Sequence, residues 1–420
     1  MSQSETESSA VTRRTFLRAS AVALGVAGLG AGDPATLGAV EPPGIPTWMK
    51  VPGAGMSPYG SPAKFESKVT RTIVSRPGTT GSGASRTPLE ALDGMITPSG
   101  LHFERHHSGV PEIDPTQHRL LIHGLVQRPL IFTMDALSRY PLVSRLHFLE
   151  CSGNSQLMYN ATPPNLTVGQ AHGLVSCSEW AGVLLRHLLE EAGADPGAPW
   201  ILAEGADSAA MSRSVPMAKA MDDAMLALYQ NGERLRPENG YPVRLFLPGW
   251  EGNMNVKWLR RIKVTSTPTM TKDETSRYTD LQADGKALMF TYPMLVKSLI
   301  TRPSPGVGPT GAGRYEISGI AWSGNGTIRR VEISVDGGKS WADAELVAPV
   351  LSRALTRFRA PWRWDGTPTV LKSRASDDAG NVQPTREKII AEQGSNVVFH
   401  YNGIVAWSVA ANGEVKHVYA

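Results

Sequence analysis

The chain has 420 residues and a formal net charge of +4, with 41% hydrophobic and 19% charged residues. So small a positive excess excludes a strongly basic protein of the kind that binds polyanions, and we expect no nucleic-acid partner. The 42 glycines and 31 prolines favour sheets and loops over long helices.

The N-terminus predicts an export signal. Arg13 and Arg14 precede a weakly apolar run at 19–31, which is typical of a Tat signal peptide rather than an ordinary helix. This run is shorter than the roughly 20 residues that a membrane span needs, and no later segment qualifies. We therefore expect a Tat signal over 1–40, a Pro/Gly-rich linker over 41–63 and a protein located in the bacterial periplasm.

Residues 64–303 have a mixed pattern that predicts an α+β domain, with a first clear strand at 119–123. Further along, the pattern predicts an amphipathic helix over 180–192, stopped by Gly193, and a strand at 243–247. Four basic residues then surround Trp258 and predict an edge that faces an anion: Lys257, Arg260, Arg261 and Lys263.

Cys151 is the most informative residue of this domain. It follows the apolar run 146–149 and precedes small residues, which is typical of a strand ending in a tight loop that presents a thiol to a pocket. A thiolate is a soft ligand suited to a redox metal, and Gly153 lets the backbone approach a bulky group. A buried structural cysteine is the alternative. A disulfide with Cys177 is less favoured because it would consume the ligand.

The C-terminal part alternates like the strands of a sandwich. A Pro/Gly-rich linker is expected at 304–313. Strand-like runs follow at 315–322, 328–335 and 372–377, with a hairpin turn at 336–338. We expect an all-β immunoglobulin-like sandwich over 314–420.

Motifs for other redox cofactors are absent from the sequence. It contains no C-x-x-C-H, no cysteine cluster and no P-loop. If Cys151 binds a redox metal, we expect no haem in this chain, and electrons must leave to another protein.

Several motifs, in order along nearly the whole chain after the signal, resemble the sulfite oxidase family of molybdenum–pterin enzymes. They lie at 103–107, 110–111, 150–154, 179–183, 213–217, 239–244, 248–249, 256–259, 334–341 and 381–384. Within that family the chain is similar to the SoxC-type sulfane dehydrogenase subunit of the periplasmic sulfur-oxidising system. The resemblance implies a molybdenum cofactor-binding domain over 64–303, followed by the immunoglobulin-like domain as the site of homodimerisation.

The resemblance also implies roles for individual residues. Cys151 becomes the protein ligand to molybdenum, which is held with molybdopterin. The positions that match cofactor contacts are His107, Arg244 and Lys257. The positions that match substrate-site residues are Arg105, Tyr278 and Trp180. For Trp180 a core aromatic is an equal alternative, and for the basic residues a solvated strand face is the alternative.

One departure from the family bears on the substrate. Where sulfite oxidases carry two arginines after the cysteine motif, this chain has Ser155 and Gln156. Loss of a charged contact to an oxyanion removes roughly 1.5–3 kcal/mol of binding. We therefore expect weaker binding of free sulfite and access for a less charged sulfane held on a carrier protein.

The sequence thus predicts an exported enzyme that oxidises sulfur with oxygen from water and passes electrons to a c-type cytochrome. A sulfur-carrier protein is the expected substrate partner. The alternatives are a sulfite dehydrogenase, an S-oxide reductase and, in a different class, a non-catalytic scaffold that binds the carrier. Joint presence of Cys151, Arg244 and Lys257 weighs against the scaffold.

Overall fold

The computed structural model describes residues 46, 49–52, 54–282 and 284–420. The predicted export signal lies outside these residues. The chain divides into two compact units, one ending at Pro62 and one from Ala63 to Ala420. Every described strand belongs to the second unit. In the part of the chain that the structure describes, no helix is long and apolar enough to cross a membrane.

The N-terminal part of the second unit is mainly sheet. Its strands are β1 (Thr72–Ser75), β2 (Gly83–Arg86), β3 (Glu104–His106), β4 (Leu120–Gly124), β5 (Leu130–Phe132), β6 (Leu142–Glu150), β7 (Val175–Leu184), β8 (Trp200–Gly205), β9 (Ser212–Pro216), β10 (Met225–Gln230), β11 (Glu233–Arg234), β12 (Arg244–Phe246), β13 (Leu259–Thr265), β14 (Asp280–Leu281) and β15 (Ala287–Leu288). Its α-helices are α1 (Met134–Leu137), α2 (Val168–His172), α3 (Leu185–Ala192) and α4 (Met217–Asp222).

Short tight turns of helix lie between these elements. The 3₁₀ turns are Lys64–Glu66, Leu89–Ala91, Ser99–Leu101, Gln156–Tyr159, Pro237–Asn239 and Gly252–Met254, and a π-type turn covers Asp273–Arg277. Several of them carry residues of the candidate site.

Two larger sheets enclose the core of this part. One has the strand order β11-β10-β7-β6, with β12 also paired to β10, and the other has the order β5-β4-β13-β8-β9. In the second sheet β13 runs parallel to β4, whereas β8 pairs with it antiparallel. Apolar side chains from both sheets and from α3 pack together, among them Leu120, Leu188, Ile201, Leu226, Leu245 and Ile262. Burial of such side chains is the main stabilising contribution to a core.

The helix predicted over 180–192 is wrong for its first five residues. Residues 180–184 end the long strand β7, which pairs with β6 on one side and β10 on the other. The two-sided ladder satisfies the backbone hydrogen bonds of these residues, so tertiary pairing overrides the local pattern. The helix α3 begins at Leu185, and Gly193 caps it with φ 65° as predicted.

The C-terminal part is a β sandwich. Its strands are β16 (Lys297–Arg302), β17 (Gly313–Trp322), β18 (Ile328–Ser334), β19 (Ala342–Asp343), β20 (Glu345–Val347), β21 (Thr356–Trp364), β22 (Thr369–Asp377), β23 (Ala406–Val409) and β24 (Val415–Val418), with α5 (Arg386–Gln393) between β22 and β23. The sheets have the orders β16-β17-β21-β20 and β19-β18-β22-β23-β24. Their inner faces share one core that includes Trp322, Phe358, Leu371 and Trp407. The predicted fold class, an α+β domain followed by an all-β sandwich, is confirmed.

The C-terminal sheet begins earlier than the sequence suggested. The strand β16 pairs with β17 from Lys297 onwards, ahead of the linker expected at 304–313. Ser304 is fully buried and its hydroxyl donates to the Thr301 carbonyl at 2.7 Å. We therefore place the start of the C-terminal domain before Lys297.

Candidate functional site

Cys151 lies immediately after β6, in a tight turn. Its N–H donates to the Leu174 carbonyl at 3.0 Å, and its own carbonyl accepts from the Asn154 N–H at 2.8 Å. The Asn154 side chain in turn accepts from the Leu174 N–H at 3.1 Å. Cys151 and the fully buried Cys177 are both free thiols. Burial raises the pKa of the Cys151 thiol, and a bound metal would stabilise the thiolate.

Two cavities meet at this cysteine. The space within the first is about 690 Å³ and that within the second about 1200 Å³, in each case including solvent at the mouth. Both are lined by Arg105, His107, Cys151 and Tyr278. The thiol is therefore reached from two directions, one through each cavity.

Arg244, on β12, faces the first cavity while almost completely buried. Its guanidinium donates to the carbonyls of Asn239 at 3.0 Å and Asn255 at 2.9 Å. Its Nε has no partner, and burial lowers the pKa of this side chain to about 9. An unpaired donor on a buried guanidinium beside a cavity favours an anionic ligand there.

Lys257 reaches the same cavity from the turn before β13. Its Nζ lies 2.7 Å from His106 Nδ1 and donates to the carbonyls of Glu238 at 3.0 Å and Arg105 at 3.3 Å. Burial lowers the pKa of Lys257 well below its usual value. Part of the predicted basic edge faces elsewhere, since Arg260 and Arg261 both pair with one carboxylate, that of Glu204.

His107 and Tyr278 form a hydrogen-bonded pair at the junction of the cavities. His107 Nε2 lies 2.7 Å from the Tyr278 hydroxyl. Burial, aided by the charge of Arg105, lowers the pKa of His107 to about 3, and burial raises the pKa of Tyr278. Around neutral pH the imidazole is therefore uncharged and the phenol keeps its proton.

Arg105, on β3, supplies a positive charge at the same junction. Its guanidinium donates to the Gly83 carbonyl at 3.3 Å and to the carbonyl of the next residue, His106. Both partners are neutral, so the charge of Arg105 stays available to an anion.

Trp180 is not brought to either cavity. It is completely buried in β7, where its ring stacks on Phe246 at 4.7 Å and its Nε1 donates to the His147 carbonyl at 3.2 Å. The Arg244 guanidinium lies over its ring at 5.1 Å. Of the two interpretations of Trp180, this placement favours the core aromatic. Its ring contacts the Arg244 guanidinium through a cation–π interaction.

Gln156 lines the second cavity, close to the cysteine. A Cβ added to Gly153 would lie 3.6 Å from Gln156 Oε1, 3.9 Å from Cys151 Sγ and 3.9 Å from Phe399 Cδ1. The amide, the thiol and the aromatic ring therefore converge on one side of the Cys151 turn. Gly153 leaves open the space between them.

Several lining residues were missed by the sequence analysis. His106, Asn253 and Trp258 line the first cavity. Arg76 and Arg277 line the second, together with Phe399. Arg277 is adjacent to Tyr278 in sequence, which was a usable signal. The loop that carries Arg76 is distant in sequence from every predicted site residue and offered none.

The first cavity fits an anionic pterin. The buried side chains of Arg244 and Lys257 line it and can bind a phosphate. Arg244 Nε has no hydrogen-bond partner and is available to donate to one. Cys151 lines the same cavity, so its thiol can bind a soft metal joined to the pterin.

Known domain families match two successive parts of the chain. Residues 107–272 match the oxidoreductase molybdopterin binding domain. Residues 289–406 match the Mo-co oxidoreductase dimerisation domain. The fold and the site together define a molybdopterin-dependent oxidoreductase.

Similar proteins define the family more closely. Sulfite oxidase of Gallus gallus is 30% identical over 322 residues, which cover 71% of this chain and 70% of that protein. Nitrate reductase [NADH] of Ulva prolifera is 28% identical over 353 residues, but the chain spans only 40% of its length. A chain in the crystal structure of the sulfane dehydrogenase SoxCD from Paracoccus pantotrophus is 45% identical in sequence, with a TM-score of 0.88. The match covers 93% of this chain and 100% of the SoxCD chain. The chain belongs to the sulfite oxidase family, and its cofactor is molybdenum with molybdopterin.

Proposed function

We propose that this molybdenum oxidoreductase oxidises a sulfane sulfur attached to the thiol of a carrier protein. The observation that carries the proposal is the neutral side chain of Gln156 beside Cys151 in the second cavity, which opens to solvent. A cavity that opens to solvent can be reached by a sulfur borne on a carrier protein. An amide at this position provides hydrogen bonding without demanding a dianion.

The cofactor would be held by residues of both cavities. Cys151 would bind the molybdenum, and Arg244, Lys257 and His107 would hold the pterin and its phosphate. When bound, the group supplies a centre that accepts two electrons from sulfur for each oxygen atom added.

The residues at the junction would bind the reacting sulfur and handle protons. Each oxygen atom added to the sulfur comes from one water and releases two protons and two electrons. The charge of Arg105 stabilises the negative charge that grows on the oxidised sulfur. Tyr278, held in place by its hydrogen bond to the uncharged His107, can donate a hydrogen bond to the reacting group and relay a proton as water is consumed.

The electron acceptor is proposed to be a separate c-type cytochrome, which receives the electrons one at a time. The match of 289–406 to a dimerisation domain supports a homodimer formed through the C-terminal sandwich. The twin-arginine segment supports Tat export to the periplasm, with 1–40 as the signal and 41–63 as a linker. The likeness to sulfane dehydrogenase SoxCD supports a sulfane as the substrate.

Oxidation of free sulfite is the second candidate, and one observation favours it. Arg105, Arg76 and Arg277 all line the second cavity, so it is positive despite the neutral Gln156. A small dianion is attracted to such a field.

The test begins with molybdenum and pterin per chain in exported, purified protein, with Cys151→Ser as the matched variant. We expect close to one molybdenum per chain in the unchanged protein, and loss of turnover in a folded Cys151→Ser variant. Unchanged turnover in that variant would remove Cys151 as the ligand.

The substrate is then tested with cytochrome c as the electron acceptor. Specificity constants are compared for sulfite and for a persulfide on a cysteine-containing carrier. A higher constant for the carrier-bound persulfide supports the proposal. A higher constant for sulfite would transfer the assignment to sulfite dehydrogenase.

A further inference from the structure

The carboxylate of Glu150, directly before Cys151, is 1% exposed and accepts from three donors. Its Oε1 accepts from Asn154 Nδ2 at 2.9 Å and lies 3.4 Å from Lys297 Nζ. Its Oε2 accepts from Trp322 Nε1 at 2.6 Å. A buried carboxylate satisfied in this way is fixed in position.

Lys297 contacts both ends of the Cys151 turn. It is 1% exposed, and besides Glu150 its ammonium donates to Ser155 Oγ at 2.6 Å. The Ser155 hydroxyl also shares a hydrogen bond of 2.7 Å with His172 Nδ1. Ser155 has a φ of 64°, a conformation uncommon for a residue with a side chain. The lysine therefore bridges the residue before the cysteine and the residue that ends its turn.

Two of these donors come from the C-terminal sandwich. Lys297 is the first residue of β16 and Trp322 is the last of β17, and the two are register partners across the sheet. The ammonium also lies over the Trp322 ring at 5.5 Å. The end of this sheet thus presents a paired cation and indole donor to the loop that carries the thiol.

The charges explain why the arrangement matters to a metal on Cys151. Glu150 places a negative charge one residue from the ligand, and Lys297 places the compensating charge beside it. Removing one partner leaves an unpaired charge in a poorly polarisable interior, where its field acts over a long range. An unpaired carboxylate near the centre favours the oxidised state of a metal.

We propose that Lys297 and Trp322 are positioning residues for Cys151: the C-terminal sandwich sets the geometry and local charge behind the metal ligand and thereby the redox properties of the centre. The inference rests on the proposed role of Cys151 as the molybdenum ligand. It concerns a connection between the two parts of the chain that is independent of which sulfur compound is oxidised.

The test uses Lys297→Met and Trp322→Phe in the full-length, cofactor-loaded protein, poised chemically without any sulfur substrate. The readouts are the Mo(V) electron paramagnetic resonance spectrum and the midpoint potential of the molybdenum. We expect Lys297→Met to lower the potential and to shift the spectrum. Trp322→Phe should shift the spectrum in the same direction by less, because the ion pair remains.

Two further variants separate this role from a loss of packing. Trp364→Phe is the matched control, since Trp364 is also buried in the sandwich and donates one bond, to the Thr367 carbonyl at 2.8 Å. It should leave spectrum and potential unchanged. The double variant Glu150→Gln with Lys297→Met removes both charges and should return the potential towards that of the unchanged protein.

The outcomes are distinct. Unchanged spectra and potentials in Lys297→Met and Trp322→Phe would overturn the inference. If Lys297→Met does not fold, the spectra and midpoint potentials of Trp322→Phe and of the double variant test the inference instead. A Cys151→Ser protein that keeps the molybdenum signal would instead overturn the proposed ligand, so the two failures are distinguishable.

Discussion

Replacing Gln156 by arginine tests how this chain departs from the sulfite oxidases. Gln156 opens the 3₁₀ turn Gln156–Tyr159 and lines the second cavity. Its Oε1 faces the space above Gly153 that Cys151 Sγ also faces. A guanidinium on this side chain would therefore reach the region where an anion meets the metal.

The size of the effect follows from the hydrogen bond that the new guanidinium would donate to sulfite. A hydrogen bond to a charged group is worth about 1.5–3 kcal/mol, which corresponds to about 10- to 150-fold in affinity. Arg105 lies at the same junction and repels a second cation, and part of the attraction to sulfite already comes from it. We therefore expect the Michaelis constant for sulfite to fall about 10-fold, at the lower end of that range.

The assay is sulfite-dependent reduction of cytochrome c, with Gln156→Met as an uncharged control of similar length. The control should not lower the Michaelis constant for sulfite. The specificity constant for a carrier-bound persulfide should fall in the arginine variant, because the larger side chain narrows the cavity. A Michaelis constant for sulfite that is unchanged in Gln156→Arg would refute the link between this position and substrate charge.

Three other changes test separate parts of the site. Tyr278→Phe removes the hydrogen bond to His107 and should lower kcat about 100-fold with little change in KM; equal kcat values would show that the phenol does not serve proton transfer. Arg244→Met should reduce the pterin retained after gel filtration, measured by fluorescence after its release, and full retention would exclude this contact. The third change concerns His102. Burial lowers the pKa of its imidazole from 6.5 to about 3. Between these two pH values the unfolded chain therefore binds the proton and the folded chain does not. The free energy of unfolding should therefore fall as pH falls below 6.5. In the unchanged protein it should drop by about 2 kcal/mol more between pH 7 and 5 than in His102→Gln, as measured by urea unfolding. An identical pH dependence in both proteins would contradict the burial argument.

Much of the site could be predicted because its signals are local. The apolar run before Cys151 forms the end of β6, and the small residues after it form the turn. Arg244 and Lys257 likewise face the first cavity as the motifs implied. In each case the residue lies within a few positions of the sequence motif that indicates its place in the fold.

The remainder depends on contacts between distant segments. Residues 180–184 carry a helical pattern, yet strands on both sides hold them in β7. Lys297 is 147 positions from Glu150 in sequence, and nothing local to either residue indicates that they pair. Phe399 reaches the second cavity only because the sandwich packs against the domain that carries the cysteine.

The two cavities at Cys151 separate the binding of the cofactor from the access of the substrate. The first is enclosed by strands and by buried cations that must suit one invariant cofactor. The second is lined by the loop segments 76–79 and 398–399, by the end of the π-type turn Asp273–Arg277, and by Tyr278. Exchange of segments 76–79 and 398–399, neither of which lines the first cavity, should redirect the enzyme to substrates of another size or charge without replacing the residues that face the pterin.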